Sequence, residues 1–165
     1  MSALPAGYPS EAFAAFAHLK TRSTLSVEDL QVLALVECYG EHFYFQLADS
    51  VDNAEAKALL RRNGQEERGH AHRVLKAIAL KGGAPWTLPD AADNPFMQFA
   101  PGAVQLDANL IAVLEQGEVD GDLSYQAWAD AEENAEVADL LRLNGREETR
   151  HSERVGEVKR LLASA

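Results

Sequence analysis

The chain repeats itself. Residues 37–74 align without a gap on residues 118–155, an offset of 81, and 18 of the 38 pairs are identical. The match is densest between LLRRNGQEERGH, Leu59–His70, and LLRLNGREETRH, Leu140–His151. This period is longer than that of the common solenoid repeats, and it occurs twice rather than many times. The pattern therefore describes a duplicated half-domain with two-fold pseudo-symmetry, not an array.

Each copy reads as a pair of helices. In the first, Leu30, Leu33, Ala34, Tyr44, Leu47 and Ala48 recur at the spacing of one apolar helical stripe. Ser26 with Asp29 three residues on has the form of a capping box. The run DSVDNAE then breaks the pattern, Asn53 is a good N-cap for a second helix, and Gly82-Gly83 ends that helix. In the second copy, Asp107 and Asn134 occupy the equivalent caps. Neither hairpin alone can cover its stripe, so residues 1–165 are expected to form a single domain. Its first hairpin spans 25–82 and its second 107–163. Residues 83–106 join them, with a proline-rich, aperiodic core from Gly82 to Gly102. About 20 extended residues traverse a bundle of ~33 Å, which lets the third bundle helix run parallel to the second. Residues 9–20, with Phe13 and Phe16, predict a short extra helix. The expected fold class is an all-α four-helix bundle of two duplicated hairpins with a long crossover.

Composition narrows the partners. A formal net charge of −11 argues against nucleic acid and against an anionic membrane surface. Cys38 is the single cysteine, which excludes an intramolecular disulfide and any four-cysteine metal module in this chain. MSALPAGYPSEAF lacks the basic start and apolar run of a signal peptide, and no stretch approaches the ~20 apolar residues that span a bilayer. A cytoplasmic, soluble protein is the expectation.

Polar residues interrupt the stripes. Glu37 lies between Ala34 and Tyr44, while Glu67 and His70 share a helix face with Leu60 and Val74. Glu118, Glu148 and His151 repeat the set. A buried carboxylate must be paired, protonated or metal-bound, and Glu with His at i, i+3 is a good donor set for iron, manganese or zinc. The midpoint between Glu37 and Glu67 is Asp52, directly before the Asn53 cap. Equal arms of ~22 Å at helical rise then put the two glutamates level across an antiparallel hairpin. Glu118 and Glu148 centre on Glu133, directly before Asn134. Four glutamates and two histidines are thus expected to meet mid-bundle.

Glu37, Glu67-x-x-His70, Glu118 and Glu148-x-x-His151 resemble the ligand set of the ferritin-like di-iron carboxylate superfamily, and most closely that of rubrerythrin-like proteins and bacterioferritins, over residues ~26–163. The resemblance implies two iron ions, with manganese and zinc fitting the same donors. It also implies that Glu67 and Glu148 bridge the metals, that Glu37 and Glu118 are terminal carboxylates, and that His70 and His151 supply one imidazole each. Tyr44 and Tyr125, two turns beyond the terminal glutamates, stand where the family often has a redox-relevant tyrosine. Among neighbours, Glu115 is a candidate extra ligand or imidazole partner, and Glu41 and Asp122 are candidate supporting acids. His18, His42 and His72 have no equivalent at the repeat offset and read as surface residues. Arg73 and Arg154 are expected to pair with Glu66 and Glu147, either seven residues apart on one helix or across helices.

The sequence also departs from its relatives. Where rubrerythrins carry an additional ligand glutamate stands Gly121, matched by Gly40, an arrangement expected to leave the metals open to a small oxidant. No rubredoxin-like cysteine module is present. Arg68 follows Glu67 where bacterioferritins have their haem methionine, the methionines here being Met1 and Met97. Each hairpin is shorter than in either relative, and the fifth helix of storage ferritins is missing. The function expected is a di-iron oxidoreductase that reacts with O2 or peroxide, with an external electron-donor protein. A ferroxidase or iron-handling role and an O2-activating hydroxylase of a small organic substrate are the alternatives. A homodimer is expected, with Phe43 and Phe45 covering a partner helix.

Overall fold

The computed structural model describes residues 4–99 and 104–163. Among these are five α-helices and no strand: α1 (Ala12–Leu19), α2 (Val27–Asp49), α3 (Ala54–Leu80), α4 (Ala108–Ala131) and α5 (Ala135–Ala163). They form a ferritin-like helical bundle. The expected caps are in place. Ser26 Oγ accepts from the Asp29 N–H at 3.1 Å while Asp29 Oδ2 accepts from the Ser26 N–H at 2.8 Å, which satisfies two otherwise orphaned donors. Asn53, Asp107 and Asn134 cap α3, α4 and α5 through their side-chain oxygens. At the end of α3, Gly82 takes φ +75°. Its N–H bonds the Ala79 carbonyl, and that of Gly83 bonds the Ile78 carbonyl, a turn that glycine adopts without steric cost.

α2 packs along α3, α4 along α5, and α3 along α5. Gly64 and Gly145, equivalent in the repeat, set how closely the helices approach. A Cβ at Gly64 would lie 2.8 Å from the Phe45 ring, and one at Gly145 would lie 2.7 Å from Asp122 and Gln126. Direction follows from cross-contacts. Lys81, just past α3, pairs with Glu132, just past α4, so these helices end at the same side of the bundle. α3 and α5 run oppositely, since Asn63 meets His151 while Asn144 meets His70. The third bundle helix therefore runs parallel to the second, as the long crossover requires.

The crossover is more structured than its aperiodic sequence predicts. It carries short 3-10 turns at Ala91–Asp93 and Pro95–Phe99, while its Gly102 end lies outside the described residues. Asn94 is buried; its Nδ2 donates to the Leu35 carbonyl at 2.9 Å and its Oδ1 accepts from the Phe96 N–H at 3.0 Å. Phe96 is thereby held in the core at 1% exposure.

α1 closes one side. Phe16 meets the edge of Trp128 on α4, and Phe13 sits edge-on to Tyr39 and Phe43 of α2. Phe43 is consequently buried within its own chain, and Phe45 packs on Gly64 with Arg61 over its ring. Neither presents the free apolar face expected for a partner helix. The exposed large apolar residues are Phe13 on α1 and Val113, Val119 and Leu123 on α4.

Because Phe96 fills the core from a short 3-10 turn within the crossover, its truncation tests the crossover directly. Phe96→Ala should lower the unfolding free energy by about 3–5 kcal/mol. A urea titration followed by circular dichroism measures this, with native helix content unchanged before the transition.

Candidate metal centre

The six sequence-selected side chains meet in the middle of the bundle. Glu37 on α2, Glu67 and His70 on α3, and Glu148 on α5 form one four-donor group whose ligand atoms all lie within 4.8 Å of one another. Glu67, Glu118, Glu148 and His151 form a second, with the same spacing. Glu67 and Glu148 belong to both groups, so each has an oxygen placed for either half-site. All six side chains are buried, and the two imidazoles are at 0% exposure.

The imidazoles stack at 5.2 Å between ring centres and 14° between planes, each presenting Nδ1 to the carboxylates. His70 Nδ1 lies 3.3 Å from Glu37 Oε2, 3.4 Å from Glu67 Oε2 and 3.3 Å from Glu148 Oε1. His151 Nδ1 lies 3.2–3.6 Å from Glu148, Glu67 and Glu118. It is fully buried yet makes no hydrogen bond. A buried nitrogen that faces three carboxylates without a well-directed hydrogen bond is placed as a metal ligand would be. Four carboxylates carry four negative charges, which two divalent cations cancel; without that compensation their burial is costly. The donor set fits a pair of divalent ions.

The opposite nitrogens are held by residues that sequence reasoning placed only loosely. His151 Nε2 lies 3.2 Å from Glu66 Oε2, and His70 Nε2 lies 3.2 Å from Glu147 Oε2, the latter off the hydrogen-bond direction. Arg154 clamps Glu66 at 2.8 and 3.0 Å, and Arg73 clamps Glu147. Both pairs therefore cross between α3 and α5; neither arginine pairs with the glutamate seven residues before it on its own helix. A carboxylate on Nε2 favours the tautomer that frees Nδ1 for metal. Glu66 and Glu147 are the functional candidates that the sequence reading missed as imidazole partners. Their signal was there: each recurs in the repeat immediately before Glu67 or Glu148.

The tyrosines cross over as well. The Tyr44 hydroxyl donates to Glu118 and the Tyr125 hydroxyl to Glu37, so each half supports the other half's outer carboxylate. Burial, and then the Glu118 charge, push Tyr44 well above the usual phenol range; burial and Glu37 do the same for Tyr125. Both remain proton donors.

A family model for rubrerythrin matches residues 32–159, a span containing every residue of this centre. The chain belongs to the rubrerythrin family. No curated protein matches it, and neither does any solved structure.

Within that family frame, several expected neighbours fall elsewhere. Glu115 is not among the metal-facing donors: it pairs with Lys159 at 2.9 Å, a turn away from the imidazoles. Glu41 faces Arg68 at 3.8 Å, and Asp122 accepts from Thr149 and Gln126, so neither supports an imidazole. His72 is exposed, His18 stands against Tyr8 and Arg22, and His42 is half-buried away from the centre. Gly40 and Gly121 pack against the shared carboxylates. A Cβ at Gly40 would lie 3.2 Å from Glu67 Cδ, whereas one at Gly121 would make ordinary contacts at 3.4–3.8 Å with Glu148. Gly40 is thus a close-packing position, whereas Gly121 would admit a Cβ without displacing its neighbour.

An apolar cavity of about 280 Å³ adjoins the centre between α1, α2 and α4. Its floor includes Glu37, Glu67, Glu118 and Glu148 with Gly40 and Gly121 between them.

Glu67→Ala and Glu148→Ala each remove a donor common to both half-sites. After reconstitution with Fe(II), elemental analysis should find two ions per parent chain and clearly fewer in each variant; full loading of both variants would remove the assignment.

Protonation gives a second check. Burial, reinforced by the Glu67 charge against the pull of His70, raises Glu37 to about 8, and burial with the Glu148 charge raises Glu118. Burial opposes charging His70 and His151, but the surrounding carboxylates outweigh it and raise both well above 6.5. Each of these four groups binds its proton more tightly folded than unfolded, so metal-free stability falls as pH rises through the neutral range. Burial likewise opposes ionising Glu67 and Glu148, yet bonds from the imidazoles depress Glu67, and the imidazoles overcome the Glu67 repulsion to hold Glu148 near 2. Their contribution is complete above the ordinary carboxylate range and does not offset the decline. Calorimetry of metal-free protein should show a melting temperature lower at pH 8 than at pH 6.5, by about 3 °C or more. Metal loading should flatten the dependence, because the ion replaces those protons.

Proposed function

We propose that this protein is a di-iron carboxylate oxidoreductase of rubrerythrin type, reacting with O2 or peroxide and receiving electrons from a separate donor protein. The observation that carries the reading is the pair of four-donor groups sharing Glu67 and Glu148, opening onto an apolar cavity. In this assignment Glu67 and Glu148, common to both groups, would hold the metal pair together with Glu37, Glu118 and the Nδ1 atoms of His70 and His151. Iron held there would supply one-electron redox chemistry.

The chain's residues supply the rest. Glu147 and Glu66, fixed by Arg73 and Arg154, keep the imidazoles in one tautomer as the charge of the centre changes. Tyr44 and Tyr125 hold the outer carboxylates in place and carry protons next to the centre. The apolar walls admit a small uncharged oxidant and limit water. Those walls disfavour the iron-handling alternative, since hydrated Fe(II) in turnover needs a polar route. These 165 residues hold one cysteine, too few for a four-cysteine module, which supports a separate source of electrons in this reading.

Stopped-flow mixing of the reduced, two-iron protein with O2 and with H2O2 tests the reading. Oxidation should outrun that of the same Fe(II) free in buffer for at least one oxidant. Gly121→Glu, whose Cβ would make only ordinary contacts, should keep the fold and two irons but change that rate about tenfold, the effect of ~1.4 kcal/mol on the barrier. Parent rates equal to those of free Fe(II) would overturn the proposal.

A further inference from the structure

The cavity above the metal centre is larger than a diatomic or peroxide oxidant needs. Its volume is about 280 Å³. A dry apolar cavity of about 150 Å³ holds one benzene molecule, and a water occupies roughly 30 Å³ in the liquid. Phe16, Val36, Tyr39, Phe43, Leu110 and Leu114 build its walls. The mouth lies between Phe13 of α1, which is 58% exposed, and Val113 of α4, which is 67% exposed.

Gly117 marks this space as kept open. It lies in the interior of α4, where glycine is disfavoured against alanine, and it is not one of the glycines with positive φ. A Cβ there would meet nothing within 4 Å, so helix packing does not call for glycine either. Its equivalent in the first half is Val36, on the facing wall. A side chain at 117 would project into the cavity and narrow its mouth.

We propose that this cavity is a binding pocket for a neutral, apolar organic molecule containing a single aromatic ring, about ten non-hydrogen atoms in size. The size follows from the volume. Neutrality follows from the apolar walls, which offer a charged group no solvation. The ring matches the edges and faces of Phe13, Phe16, Tyr39 and Phe43, which favour edge-to-face aromatic contacts. The ligand lies directly over Gly40 and Gly121, beside the carboxylates Glu67 and Glu148. Its placement as an organic reaction partner rests on the oxidant chemistry proposed above. Its binding does not.

Butylbenzene is a suitable probe, with octylammonium as the charged control of similar length. Titration calorimetry on the zinc-loaded protein separates binding from redox activity, because zinc fits the same donors and does not change oxidation state. Butylbenzene should bind once per chain with sub-millimolar Kd, and octylammonium should not compete. Gly117→Leu should weaken butylbenzene at least tenfold while keeping its zinc content and a melting temperature at or above the parent's. In the parent, methyl and aromatic NMR signals of Val36, Leu110 and Phe16 should shift on titration. Absence of butylbenzene binding, or equal binding by parent and Gly117→Leu with no shift at those residues, would overturn the pocket. The stopped-flow result with O2 and H2O2 would stand independently of either outcome.

Discussion

Four carboxylates and two imidazoles with almost no access to water are the constraint around which the rest of this bundle is arranged. In a metal-free chain their charges conflict: burial and mutual repulsion drive Glu37 and Glu118 toward the protonated form, while Glu67 and Glu148 stay ionised against two imidazoles. A core of leucines at the same positions would be easier to fold. The arrangement is stable chemistry once two divalent cations replace the protons, and folding, metal affinity and pH response are then expressions of one electrostatic balance.

That balance is maintained by exchange between the two copies. Tyr44 from the first half bonds Glu118 of the second, and Tyr125 bonds Glu37 in return. Glu66 and Arg154 together secure His151, while Glu147 and Arg73 secure His70. Asn63 and Asn144 donate to the carbonyls of His151 and His70 across the same interface. A single hairpin would lack the acid and tyrosine that orient its own donors. The duplication thus produces interdependence, because each metal-facing side chain is supported by the opposite copy.

Symmetry is broken on one side, and that side has chemical consequences. α1 covers α2 and reaches Trp128 on α4, whose equivalent in the first half is Leu47. Between these elements the bundle stays open down to the carboxylates, with Gly117 opposite Val36. The metal-facing residues are nearly two-fold, but the space through which anything reaches them is not.

The sequence by itself determined the helices, their caps, the membership of the metal-facing set and the family resemblance. It could do so because helical periodicity, cap chemistry and an 81-residue repeat are local or self-referential signals. Midpoint spacing was enough to bring Glu37 level with Glu67, since two antiparallel helices of equal arm have a single register. The tertiary structure alone decided which residues lie behind the ligands. Arg73 and Arg154 could have paired with Glu66 and Glu147 along one helix or across two, and the packing of α3 on α5 decided for the cross pairs; Glu115 has its carbonyl beside Ser152 of α5, but its side chain turns to Lys159. Phe43 was read as a partner-facing residue because nothing in the sequence says where α1 docks. The cavity was invisible for the same reason: empty space is a property of how side chains from three helices fail to meet, and no pattern along one helix records it.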